Sequence, residues 1–125
     1  MGKLVDDTVL DGALNVIKNG TTQISVCADT PTTYSQATTA GTFRLALKGS
    51  LTSGDFSGPA DDTSGRKLTT VAHSAITVSN SGTATHVCLC SAAALLYVTT
   101  CTSQALTAGN TVTIPAWKIN IPDPT

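Results

Sequence analysis

Apolar and polar positions change period once along this chain, near Gly20, dividing a helical start from a remainder built of strands. Before that point Leu10, Ala13, Leu14 and Ile17 recur at three- and four-residue intervals, which predicts a helix over residues 7–20. Asp6 or Asp7 can cap it, Asp11 suits the positive end of the helix dipole, Lys18 suits the negative end, and Gly20 stops it. A helix this short is marginal alone and must dock, either on its own sheet or, as an arm, on a neighbouring subunit.

After Gly20 the period is two. Residues 22–27 place Ile24 and Val26 on one face, and Phe43, Leu45 and Leu47 alternate with Arg44, Ala46 and Lys48. From Leu68 onward strands are expected at 68–72, 75–79, 83–90, 95–101, 110–114 and 116–121, with turns at 79–82, 91–94 and 107–110. In the last of them Trp117, Ile119 and Ile121 point inward, and Pro122 and Pro124 end the ladder. Short strands at even spacing predict a mainly β chain: an antiparallel β-sandwich or jelly-roll-like domain of about eight strands with one short N-terminal α-helix. One such domain is expected to span residues 1–125.

Two connections carry breakers. Residues 29–41 are rich in Thr, Pro and Gly and predict an extended surface crossing. Residues 53–66, SGDFSGPADDTSGR, hold Gly54, Gly58, Pro59 and Gly65 and are expected as a solvated surface loop. Asp55, Asp61 and Asp62 offer oxygen atoms there, but their spacing lacks the order of a calcium-binding loop. The strings TTYSQATTAG (32–41) and TCTSQALTAG (100–109) agree at seven of ten positions, either as a duplicated turn or as coincidence in a chain with 23 threonines.

Charge sharpens the picture. The 125 residues carry a formal net charge of -1 with 12% charged side chains, which supplies no basic patch for nucleic acid or an acidic membrane. Residues 68–117 contain no Asp, Glu, Lys or Arg over 50 positions. Uncharged strand edges normally need guarding, so these edges either close on one another in a barrel or are covered by neighbours in an assembly. The most apolar run, 87–98, is short of the roughly 20 residues needed to span a bilayer. The N-terminal residues lack the pattern of a secretory signal, so synthesis in a cytoplasm and reduced cysteines are expected.

His86, Cys88 and Cys90 fall on one strand face, with Cys101 or Cys27 available as a fourth ligand, so a zinc site stands against a core containing thiols and one histidine. A two-residue spacing separates such ligands by about 7 Å along a strand, which favours the core. Cys88 and Cys90 cannot bridge each other without strain, so any disulfide draws on Cys27 or Cys101. His73 and Ser74 point to opposite faces, no GxSxG elbow or phosphate-binding glycine loop occurs, and the paired carboxylates sit in a breaker-rich segment. The expectation is no enzyme, no catalytic residue, no cofactor and no metal.

The strings LDGALNVIKNGTTQISVCADTPTTYSQATT, SGDFSGPADDTSGRKLT, SGTATHVCLC and LLYVTTCTSQALTAGNTVTIPAWKINI, taken in order, resemble a family of small tailed-phage and prophage virion structural proteins over nearly the whole chain. That resemblance implies location in the virion as a head decoration protein that cements capsid subunits. Its partners would be the major capsid protein or other virion proteins, and copies of itself in a homo-oligomer such as a trimer. A collar or tail-associated protein is the alternative within the family. Cys88 and Cys90, after the ATH string, depart from the apolar strand expected there. A different class, an adhesion module presenting loops to host glycans, would rely on Tyr34, Phe56, Tyr97 and Trp117 for stacking.

Overall fold

In the computed structural model, which describes residues 4–124, helix α1 occupies Asp7–Gly20, the bounds that its apolar spacing predicts. There follow β1 (Gln23–Cys27), α2 (Tyr34–Thr38), β2 (Arg44–Lys48), β3 (Phe56–Asp61), β4 (Arg66–Thr70), β5 (His73–Thr77), β6 (Gly82–Cys90), β7 (Leu95–Leu106), β8 (Thr111–Ile114) and β9 (Lys118–Ile121). The chain is mainly β, and its strands pair antiparallel in three sheets of order β2-β1-β6-β7, β3-β4-β9 and β5-β8.

The layers follow from side-chain alternation. On one face of the four-stranded sheet, Ile24, Val26, Val87 and Leu89 pack with Leu68, Ile76, Val112, Ile114 and Ile119 of the two smaller sheets, a sandwich-like core that Leu14 and Phe56 complete. The other face is also covered. Ser25, Cys27, Cys88 and Cys90 lie there fully buried, with Ala37 of α2 packed on the thiols. This double coverage explains why β1 reads as nearly continuous burial rather than alternation.

Asp6 caps α1 by accepting the Thr8 amide at 2.9 Å, an interaction that holds its carboxyl below the usual range. The helix lies on β3 and β4, where Arg66 donates to both oxygens of Asp11 at 2.7 and 3.1 Å and to Asp61 at 2.6 Å. Lys18 reaches the Gly58 carbonyl at 2.7 Å. The helix's charged residues thus serve its inner side. Its outward side shows Val9 at 63% and Val16 at 60% exposure.

Two expectations need correcting. Residues 53–66 are not one solvated loop: a short 3-10 turn at Ser53–Asp55 leads into β3, which pairs with β4. Gly58 and Pro59 signal a break, yet β3 is an outer strand whose irregularity between Ser57 and Ala60 absorbs them. Only the turn at 62–65 remains a loop; Gly65 has φ +74° there, and a β-carbon would collide with the Ile121 carbonyl.

The second correction is α2, in the segment expected to be extended. Thr33 caps it, its hydroxyl accepting the Gln36 amide at 3.2 Å, and burial of Ala37 holds it down. The internal echo, open in the sequence between a duplicated turn and coincidence, is not a duplicated turn. Ser35-Gln36-Ala37 is helical in α2, whereas Ser103-Gln104-Ala105 is extended in β7, so the repeat is one of residues and not of structure. Contacts decide the difference, thiols against the first and the β6 ladder against the second.

Candidate interaction surface

β7 is the outer strand of the largest sheet, paired with β6 on one side and, among the described residues, unpaired on the other. Its residues from Leu95 to Thr99 are half-buried, and those from Thr100 to Ala105 are exposed. No residue of its 12 is charged and none is proline. The remaining outer strands are guarded: β2 by Arg44 and Lys48, β3 by Pro59 and Asp61, β9 by Lys118, β5 by Ala75 at φ 56°, and β8 by Pro115 directly after it.

The protection that β7 does have is conformational. Ala84 pairs with Gln104 and His86 with Thr100, so Cys101, Thr102 and Ser103 stand opposite Thr85 alone. That bulge lifts the strand from the ladder and leaves its hydroxyls and backbone groups facing outward. Beside it, two adjoining cavities of about 270 and 420 Å³ share Val87, Cys101, Thr102, Ile114 and Pro115. The cleft reaches core residues Val26 and Ala84, and Trp117 borders it with an indole N–H that has no partner among the described residues. An uncharged protruding strand over an apolar cleft can bury area on a partner without desolvating an ion.

The candidate chemistry disperses elsewhere. His86, Cys88 and Cys90 share a face, but the His86 ring lies between the hydroxyls of Thr30 at 2.9 Å and Thr85 at 2.7 Å. Cys88 instead donates to the Cys27 sulfur at 3.7 Å. These two are diagonal neighbours, since Cys27 pairs with His86 and Ser25 with Cys88; diagonal backbones are about 7–8 Å apart, wider than a disulfide spans. The thiols touch and remain free.

Cys88 is pushed well up by its hydrogen bond to Cys27 and by burial, and burial pushes Cys90 up to about 11. Cys27, as the acceptor, is shifted down. Cys101 lies in the cleft on the far side of the sheet, its thiol also raised by burial. Among the described residues no group of three or more His, Cys, Asp or Glu is placed to hold a metal ion.

His73 is 2% exposed and Ser74 is exposed, on opposite faces as their spacing requires. The three aspartates of 53–66 are occupied: Asp55 accepts the Thr52 amide, Asp61 binds Arg66, and Asp62 binds Lys118 and Asn120. The bond from Lys118 holds the Asp62 carboxyl below its usual range. Of the aromatic residues, Phe56 is buried in the core, Trp117 and Tyr97 pack against it, and Tyr34 donates its hydroxyl to the Ala92 carbonyl at 3.0 Å.

The cleft and the outward valines of α1 escaped the reading of the sequence. The valines had a signal, a seven-residue spacing opposite the buried leucines; the cleft had none, because it forms between strands distant along the chain. Among the described residues no helix is long and apolar enough to cross a membrane. Set against protein-family models, curated proteins and solved structures, the chain finds no match in any of the three.

Proposed function

We propose that this protein is a structural component of a tailed-phage virion, a decoration protein that bridges capsid subunits and stabilises their joints. The observation that carries the reading is β7, an outer strand without charge or proline that protrudes over an apolar cleft. The resemblance of its sequence strings to small virion proteins supplies the biological setting. In mechanism, each copy lays the Thr100–Ala105 segment and the cleft margin against the major capsid protein. The contact adds buried area and strand hydrogen bonds to a joint loaded by packaged DNA. No chemical step is involved, and the protein acts without enzymatic activity, metal or cofactor.

Quantitative mass spectrometry of purified particles tests the proposal. A decoration protein repeats with the icosahedral shell and is expected on the order of hundreds of copies per particle. A copy number near a dozen would move it to the collar or tail, and absence from the particle would overturn a virion role.

A further inference from the structure

A surface helix usually turns charge to water and apolar residues to the core. Helix α1 departs from this. Asp7, Asp11 and Lys18 are turned toward Arg66 and the Gly58 carbonyl, while its outward side presents Val9, Gly12, Ala13 and Val16, all exposed. Thr8, Asn15 and Asn19 flank this row, so no charge interrupts it. Of the four large apolar residues exposed in the described chain, Val9 and Val16 lie in this row, and Leu4, at 91%, stands three residues before the helix.

The row is symmetric about its middle. Its positions fall at i, i+3, i+4 and i+7, with the valines at equal distances on either side of Gly12 and Ala13. A two-fold axis between Gly12 and Ala13 therefore sets each valine against the other valine of an antiparallel copy, the self-complementarity that an isologous contact requires. The two small central residues let the helix axes approach to about 8 Å, the close end of helix packing. The helix dipoles favour the same direction: antiparallel pairing sets the positive end of each helix beside the negative end of the other, whereas parallel pairing aligns like with like.

We infer that the outward face of α1 is a homodimer contact, in which two copies pair their helices antiparallel through Val9, Gly12, Ala13 and Val16. This surface is separate from β7 and needs no virion partner, so the two readings fail independently. Two short helices bury little area, so the association is weak in solution and is read at high concentration, about 0.1–1 mM.

Sedimentation equilibrium of the full chain over that range is the test, with circular dichroism to check that each variant folds. The wild type is expected to show a monomer–dimer equilibrium. Val9→Lys and Val16→Asp, each alone, should weaken it at least about tenfold, because a charge is then buried against a valine. The double variant V9K/V16D should recover most of the loss, since each introduced lysine then faces an introduced aspartate of the other copy. A strictly monomeric wild type, a dimer indifferent to either single substitution, or a double variant as weak as its parents would each overturn the proposal.

Discussion

At the scale of single residues, burial decides which of the apparent chemical groups are reactive. The thiols of Cys88 and Cys90 sit beneath α2 with raised pKa values, so they behave as small apolar side chains filling the space between sheet and helix. His73 is the residue with the clearest consequence for pH. Burial, aided by Lys48 and opposed by Asp55, depresses its pKa below the ordinary 6.5. Below about pH 6.5 the unfolded chain therefore takes up a proton that the folded chain resists, and stability falls as the pH drops from there through the folded pKa. Urea unfolding at pH 7.5 and pH 5 should show a lower midpoint at the acidic pH. His73→Phe, whose ring does not titrate, should narrow that difference; an unchanged difference would remove His73 as its source.

At the scale of elements, legibility in the sequence followed how local the deciding force was. Helix α1 was readable to its bounds because its apolar repeat and terminal glycine lie within it and its cap, Asp6, stands directly before it, although Ala13, counted in that repeat, is exposed on the outward side. The strands from β4 to β9 were readable nearly as well, although β7 continues to Leu106, beyond the expected end at Cys101. β3 and α2 were hidden for different reasons: Gly58 and Pro59 masked β3 although its ladder partner β4 follows it directly, whereas the floor of α2 is supplied by thiols of β1 and β6. The neutrality of the surface was visible as a charge gap, but which strand would carry it outward depended on sheet order. The shared-face reading of His86, Cys88 and Cys90 was right about direction; separation came from Thr30, whose hydroxyl occupies the histidine.

The docking of α1 is equally non-local. Arg66 clamps Asp11 and Asp61 together, with its side chain 16% exposed, and thereby joins helix to hairpin. Arg66→Gln keeps length but loses the charge and the two-pronged grip. Hydrogen exchange should then speed up in α1 by about tenfold or more while β1 and β6 stay protected, because opening of the helix need not open the sheet. Uniform acceleration through the chain would mean that the clamp supports the whole fold instead.

At the scale of the whole molecule, two uncharged surfaces stand out against guarded edges elsewhere: the outward face of α1 and the protruding half of β7. Each is built from small apolar or hydroxyl side chains that cost less to desolvate than charged ones, which fits the assembly role proposed above. Hydrogen–deuterium exchange of the free protein, compared with that of the same protein in purified particles, tests the role of β7 directly. Amides of the bulge from Cys101 to Ser103 should exchange rapidly in the free chain and become strongly protected in the particle. Equal exchange in the two states would contradict an assembly contact at this strand.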